Sequence, residues 1–365
     1  MPKHSVLSAA SKAQNDEFYT QYEDIQKEIN AYLEYNTDTF RNKTVFLPCD
    51  DPEWSNFTRF FAQNFETFGL KKLISTSYAT NSKKFVYHQN SLFELNSPQY
   101  DVTKTDTNGK IFILERNANH SGKIDINDLE WSYLDGDGDF RSNEVKKLRD
   151  EADIIITNPP FSLFREFLGW IVEATKKFLI IGNINCITYK EVFPRIQNNE
   201  IWLGTGMGRW ITGFIVPDGY ELYGTEARIN EEGKRIVATN NCLWLTNLDH
   251  GKRHRPLHLM TMADNLKFSK HKSVRESGYL KYDYYDAIDI PFTNAIPSDY
   301  DGAMGVPITF LDKYNPEQFE ILGCSYQYGD PGCHYSGQPW NVSVDGKDVY
   351  KRVFIRAKKL GVQNK

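Results

Sequence analysis

The stretch DIIITNPPFSLF, residues 153–164, runs an unbroken β-branched segment into a carboxamide, two prolines and an aromatic ring. Ile154, Ile155, Ile156 and Thr157 show no apolar/polar alternation, so the strand they predict is covered on both faces, as in a parallel sheet. SLFREFLGWIVEATK (162–176) then predicts an amphipathic helix, and KFLIIGNI (177–184) a second continuous apolar strand. Upstream, TVFLPCD (44–50) and KKLISTSYA (71–79) predict two more buried strands. Between them SNFTRFFAQNF (55–65) predicts a helix with Ser55 as its N-cap. A helix is expected over about 16–35, a hairpin turn at KTDTNGK before IFILER (111–116), and a short helix at TYKEVFPRI (188–196). Buried strands alternating with helices predict an α/β, doubly wound sheet for the first two thirds of the chain. After residue 200 the pattern shifts to β-rich pieces (IWLG, WITGFIVP, NCLWLTNL), then to an aromatic, basic, less regular C-terminal region. Ligands of such sheets sit beyond the carboxyl ends of the strands, which is where Asn158 falls.

The chain has 365 residues, 40% hydrophobic and 25% charged, the composition of an ordinary globular protein. No apolar run approaches the roughly 20 residues that span a bilayer, and MPKHSVLSAASKAQNDEF (1–18) lacks the apolar core of a signal peptide. Five scattered cysteines suit a reducing cytoplasm better than a disulfide framework. The tightest cluster, Cys324 to His334, matches no common zinc spacing, so no metal is expected. Net charge is −5, yet seven basic residues (Lys252, Arg253, Arg255, Lys267, Lys270, Lys272 and Arg275) face one acid, Asp264, between 252 and 275. A second patch is KRVFIRAKK (351–359). Such patches suit either a phosphate backbone or a solvated face.

Asn158-Pro159-Pro160 is stiff, rich in carbonyl acceptors and poor in N–H donors. It suits a planar group with two N–H donors, such as an exocyclic ring amine. Two acceptors, the Asn158 side-chain oxygen and the Pro159 carbonyl, would draw that nitrogen toward tetrahedral geometry and free its lone pair for attack on an activated methyl. Phe161 would stack on the base once it has left the duplex. The plain alternative is a proline-rich turn that ends a strand.

TNPPFSLF resembles the [DNS]-P-P-[YFW] signature of amino-group DNA methyltransferases. DEFYTQYEDI (16–25), CDDPEWSNFTRFFAQNF (49–65), GDGDFRS (136–142), KFLIIGNINCITYKEVF (177–193), GFIVPDGYELYGTEARI (213–229), NNCLWLTNL (240–248) and GVPITFLDKYNPEQFEILG (305–323) all resemble the EcoRI-type adenine-specific methyltransferase family, in order along nearly the whole chain. The resemblance implies a Rossmann-like methyltransferase fold with a doubly wound mixed sheet and the cofactor S-adenosylmethionine. The implied substrate is a flipped-out adenine in a short site of double-stranded DNA, GAATTC in the founding member. It further implies a monomeric, cytoplasmic, bacterial or phage-encoded enzyme of a restriction–modification system, with a companion endonuclease acting on the same site. Organisation follows as a cofactor-contacting arm (1–35), a methyltransferase domain (36–250) and a target-recognition region (251–365). By the same resemblance Asn158, Pro159 and Pro160 hold the amine and Phe161 stacks. Phe18, Tyr19 and Thr20 meet the cofactor's methionine end. Asp50, Asp51 and Pro52 form its loop, Asp139 accepts from its adenine amine and Phe140 packs on that ring.

Plainer readings stand beside these. Asp50 and Asp51 would cap the 55–65 helix. DGDGDF would be an acidic turn or half a calcium loop, although Lys146 stands where an EF-hand needs glutamate. Tyr19 and Thr20 would be helix surface, and Trp210 and Phe214, placed in one strand, would be core rather than a second wall for the base. The sequence also departs from the family pattern. LPCDDPEW holds no Gly-x-Gly loop, LISTSYAT ends without a ribose-gripping acid, and GTGMGR (204–209) comes too late for the first turn. Methylation of cytosine N4, methylation of a glutamine amide, and a silent DNA-binding protein on the same fold are the competing readings.

Overall fold

The computed structural model describes residues 19–53, 55–79, 98–116, 130–216, 227–238, 241–325 and 342–358. Phe18, Cys333, His334 and Lys359 lie outside them. The chain forms two compact units, residues 1–184 with 206–248, and residues 185–205 with 249–365.

The first unit opens with β1 (Tyr19–Thr20), α1 (Tyr22–Tyr35), β2 (Thr44–Leu47), α2 (Asn56–Gln63), α3 (Phe65–Phe68) and β3 (Lys72–Thr76). Then come β4 (Lys110–Glu115), β5 (Trp131–Tyr133), α4 (Asn143–Glu151), β6 (Ile154–Thr157), α5 (Phe164–Glu173) and β7 (Lys177–Asn183). It is completed by β8 (Trp202–Met207), β9 (Phe214–Val216), β10 (Arg228–Ile229), β11 (Arg235–Val237) and β12 (Cys242–Thr246). The main sheet has the order β5-β4-β3-β2-β6-β7-β12-β8, and its edge strand β8 straddles the division between the units. Its centre, β3-β2-β6-β7, is parallel; β4 and β12 run antiparallel to it, and β5, antiparallel to β4, shares the direction of the centre. This is the mixed, Rossmann-like sheet. Strand order reverses between β2 and β6, the place where such sheets open a crevice at their carboxyl edge.

Every residue of β2 and β6 is buried, which is why both strands read as continuous apolar runs. Ser55 caps α2 by accepting from the Phe57 N–H at 3.0 Å. One face of α2 and α3 carries Phe57, Phe60, Phe61, Phe65 and Phe68, none more than 6% exposed. Each such ring contributes about 1.5–3 kcal/mol by leaving water.

Two expected elements change. The first helix starts at Tyr22, because Tyr19 and Thr20 pair antiparallel with Ile215 and Phe214 in a small sheet ordered β1-β9-β11-β10. The helix expected at 188–196 instead spans Phe193–Gln197, because Pro194 fits only a helix's first turn.

The second unit holds α6 (Phe193–Gln197), α7 (Met262–Phe268), α8 (Lys272–Ser277), β13 (Ala287–Asp289), β14 (Ala303–Pro307), β15 (Phe319–Cys324), β16 (Ser343–Val344), β17 (Lys347–Asp348) and β18 (Arg352–Ala357). Its sheet, β13-β14-β18-β15, packs around Tyr282, Tyr285 and Phe354. Among the described residues no helix is long and apolar enough to cross a membrane.

Candidate active site

The carboxyl ends of β2, β3 and β6 are tied together by hydrogen bonds through Asp50. Its carboxyl accepts from the Ser55 hydroxyl at 2.6 Å on Oδ1 and from the Thr157 hydroxyl at 2.7 Å on Oδ2. Its backbone N–H donates to the Thr76 carbonyl at 3.0 Å, and its carbonyl accepts from the Ser75 hydroxyl at 2.5 Å. Burial pushes the Asp50 carboxyl up to about 7, against the opposing pull of its two hydroxyl donors. The neighbouring Cys49 thiol also meets Thr157, and burial pushes it well above its ordinary range. Asp51 and Pro52 form the turn beyond, with the Asp51 carboxylate accepting the Glu53 N–H at 2.9 Å and its carbonyl accepting the Ser55 N–H at 2.9 Å.

Thr157 is the last residue of β6, so Asn158 leaves the strand beside Asp50. Asn158 and Pro160 are half-buried and Pro159 is buried. The Pro160 carbonyl accepts from Leu163 at 3.0 Å, which closes a single 3-10 turn over Phe161–Leu163 before α5 begins. Phe161 is partly buried and meets Phe214 edge to face, with centroids 6.3 Å apart. Phe214 is itself the partner of Thr20 in the small sheet. The Thr20 carbonyl accepts from the Asn56 side chain at 2.8 Å, so the Tyr19–Thr20 segment also abuts the start of α2.

One residue of this cluster bears on whether S-adenosylmethionine fits. The Thr20 hydroxyl oxygen is buried and has no hydrogen-bond partner among the described residues. A polar atom left in that state costs about 1–3 kcal/mol, a cost that a polar group of a bound cofactor would relieve. On the other side, Gly109 and Gly138 approach the Ser77 backbone so closely that a Cβ would lie 2.5 and 2.1 Å from its carbonyl oxygen. The Ala79 N–H donates to the Asp137 carbonyl at 2.7 Å, which seats the 136–140 loop on the end of β3.

Asp139 lies in that loop and grips Arg141. Its Oδ1 accepts the Arg141 backbone N–H at 2.8 Å and Nε at 2.9 Å, and its Oδ2 accepts Nη2 at 2.5 Å. Arg141 holds the carboxyl below its usual range, and three of about four lone-pair sites are engaged, leaving one on Oδ2. Phe140 is 6% exposed and packs edge to face against Phe167 and Trp170 of α5, with centroids 5.2 and 5.6 Å away.

Trp210 and Phe214 part company. Phe214 is 1% exposed and belongs to the core. Trp210 is not in a strand but in a 3-10 turn, Gly208–Trp210, and is 72% exposed. The flanks of that turn are held by two buried acids of α1 that the sequence reading did not single out. Glu28 accepts the Gly206 N–H at 2.8 Å, and Asp24 accepts the Thr212 N–H at 2.8 Å and its hydroxyl at 3.0 Å. Burial raises the Asp24 carboxyl above its ordinary value. Their spacing of four, on the helix face that also carries Ile25, Ile29 and Tyr32, was the available signal.

In the second unit the basic stretch divides. Lys252 donates to the Thr205 carbonyl at 2.9 Å and to Asp312 at 2.5 Å. Arg253 is buried, lies 3.7 Å over the Trp202 ring, reaches Asp249 at 3.4 Å and bonds Asn199. Arg255, Lys267, Lys270, Lys272 and Arg275 are exposed. In the other patch, Arg352 is buried and pairs with Asp289 at 2.8 Å. Among the described residues no cluster of His, Cys, Asp or Glu could hold a metal ion.

The profile of the family described as adenine-specific methyltransferase EcoRI matches residues 6–358. The type II methyltransferase M.EcoRI of Escherichia coli is 45% identical over 98% of this chain and 98% of its own length. M.MgeORF184P of Mycoplasma genitalium is 34% identical over 97% and 99%, and M.MpnI of Mycoplasma pneumoniae 32% over 87% and 85%. No solved structure matches. With the Asn-Pro-Pro-Phe segment at the crevice of a Rossmann-like sheet and likeness over nearly its full length, the chain belongs to the EcoRI family of adenine-specific, S-adenosylmethionine-dependent DNA methyltransferases, which act on adenine N6.

Proposed function

We propose that Asn158, Pro159, Pro160 and Phe161 form the methyl-acceptor half of the site, acting on an adenine extruded from a short specific site in double-stranded DNA. Phe214 supports this reading, because it is both the ring on which Phe161 packs and the strand partner of Thr20. One residue thus joins the acceptor motif to the segment that holds the buried Thr20 hydroxyl, which has no partner among the described residues. When bound, S-adenosylmethionine would supply a sulfonium-bound methyl, the C–S electron pair staying on sulfur as a neutral thioether, and the methylated adenine nitrogen would release one proton to solvent. The Asn158 carboxamide oxygen and the Pro159 carbonyl each take one N–H of the target amine and orient its lone pair. Phe161 stacks on the base. Tyr19 and Thr20 hold the cofactor's methionine end, Asp51 and Pro52 flank it, and the last lone pair of Asp139 accepts from its adenine amine. Trp210, held out on its braced turn, meets the DNA or the extruded base.

Arg255, Lys267, Lys270, Lys272 and Arg275 contact phosphates, within a target-recognition region at 251–365. Lys252 and Arg253 instead brace that region from inside. We assign the protein to the cytoplasm of a bacterium or phage-infected cell, acting as a monomer beside an endonuclease of the same specificity.

The test is Asn158→Ala. The variant should bind S-adenosylmethionine with affinity within about threefold of wild type, and lose at least ~10²-fold in methyl transfer. Transfer near the wild-type rate would remove Asn158 from the role of amine acceptor.

A further inference from the structure

Resemblance assigns Asp50 to the cofactor, and the plain reading makes it a helix cap. Its surroundings fit a third role. Both carboxyl oxygens are engaged by protein hydroxyls at 2.6 and 2.7 Å, and the side chain is buried at 6% exposure. One hydroxyl, Ser55, begins α2, whose second helical residue receives the Ser55 cap and whose first, Asn56, holds the Thr20 carbonyl. The other, Thr157, is the residue before Asn158. The parallel register stops short of this point, since β2 pairs with β6 only through Val45–Ile154 and Phe46–Ile155. Beyond Ile155, the Asp50–Thr157 bond joins the first strand's loop to the end of β6.

We infer that Asp50 is a positioning residue, which through Thr157 fixes where the Asn158 carboxamide stands and through Ser55 fixes the cofactor-side loop against it. The inference rests on the reading of Asn158 as the amine acceptor. Its physical basis is that methyl transfer needs the nucleophile and the methyl aligned to a fraction of an ångström, and a shift of about 1 Å can cost ~10²-fold in rate. Two prolines stiffen the chain after Asn158, and pairing with Ile180 of β7 holds Thr157 on one side; on the β2 side, where the register has ended, the hydroxyl bonded to the buried Asp50 carboxyl holds it.

The experiment compares Thr157→Val, Thr157→Ser, Asp50→Asn and Asn158→Ala in the full chain. Four quantities are measured: single-turnover methylation of a long mixed-sequence DNA with enzyme in excess, S-adenosylmethionine affinity by calorimetry, DNA affinity and thermal unfolding. Thr157→Val keeps the β-branched shape of the strand and deletes only the hydroxyl. It should slow the single-turnover rate about 10- to 100-fold while cofactor and DNA affinities stay within about threefold. Thr157→Ser restores the hydroxyl and should recover the rate to within about threefold of wild type. Asp50→Asn leaves one acceptor oxygen for two hydroxyls, so it should also slow the rate, and adding Thr157→Val should cost less than the product of the two effects, because both weaken the bond to Thr157.

A Thr157→Val enzyme at the wild-type rate would overturn the inference. So would a rate loss matched by equal losses of cofactor affinity and melting temperature that Thr157→Ser does not repair, since that is the signature of a structural bond alone. A rate loss in Asp50→Asn confined to cofactor affinity would return Asp50 to the cofactor. Asn158→Ala separates this failure from that of the underlying reading: full activity there refutes the amine-acceptor role whatever Thr157 does.

Discussion

Gly138→Ala should damage the 136–140 loop, the proposed cofactor side of the site, by an amount that can be worked out from the backbone. Gly138 sits at φ +82°, and a Cβ there would lie 2.1 Å from the Ser77 carbonyl oxygen and 3.2 Å from its carbon. The obstacle is backbone, so no side chain can swing aside, and ordinary contact requires a displacement of about 1 Å in a close-packed interior. The Ser77 backbone is fixed by its N–H to the Lys110 carbonyl at 3.0 Å, and its hydroxyl accepts the Lys110 N–H at 3.1 Å. The loop is fixed by the Ala79–Asp137 bond at 2.7 Å. A left-handed alanine costs roughly 1–2 kcal/mol. Weakening two or three of these bonds adds roughly 0.5–1.5 kcal/mol each. The sum is about 2–6 kcal/mol, or roughly 3–8 °C in melting temperature for a chain of 365 residues. Scanning calorimetry reads the melt, and titration with S-adenosylmethionine should show at least ~10-fold weaker binding. Gly136→Ala is the internal control, because its Cβ would meet only Glu144 Oε2 at an ordinary 3.5 Å. A Gly138→Ala protein that melts with wild type and binds cofactor equally would refute the close approach of the 136–140 loop to β3.

Three further outcomes follow from the charges and from the braced turn. Lys270→Gln or Lys267→Gln should each lower the salt slope of DNA binding by about one and weaken binding at every sequence, whereas Arg253→Gln should lower the melting temperature instead; an unchanged slope in the lysine variants removes them from the phosphates. His250, whose ring bonds the Leu203 carbonyl at 2.9 Å, is pushed down to about 4 by burial. The unfolded chain therefore binds the extra proton between about 4 and 6.5, and stability from this group rises with pH across that window by up to about 3 kcal/mol. Asp50, pushed up to about 7, acts with the opposite sign: the folded chain holds the proton, and stability falls as pH rises from about 4 to 7. Denaturation at a series of pH values should show His250→Gln losing the rise and Asp50→Asn losing the fall; parallel profiles for wild type and variants would exclude both shifts. Trp210→Ala should leave the melt and cofactor affinity unchanged, since the side chain is 72% exposed, while weakening binding or methylation of DNA; full activity would leave that turn with no role in the complex.

Much of the fold was legible because it rests on local pattern. β2, β6 and β7 are buried on both faces and read as unbroken apolar runs, and Ser55 announces the start of α2. The position of Asn158–Phe161 was legible for the same reason, since the apolar run of β6 leads straight into it. What escaped depends on partners distant along the chain. Tyr19–Thr20 form a strand only because residues 214–216 lie beside them. The carboxylates of Asp24 and Glu28 look like helix surface until Thr212 and Gly206 supply their donors. Lys252 and Arg253 belong to a basic run by sequence, yet Asp312, Trp202 and Asn199 turn both inward. The missing glycine loop after β2 has a similar explanation. The loop is organised by the Asp50, Asp51 and Ser55 side chains rather than by glycine.

The most direct test of the account is methylation of a long mixed-sequence DNA by the purified protein with S-adenosylmethionine, read by sequencing that detects N6-methyladenine, with Asn158→Ala alongside. The account predicts modified adenine at one short motif with the wild-type chain and none with Asn158→Ala, although both bind the cofactor. Methylation that persists in Asn158→Ala, or that falls on cytosine, would contradict it.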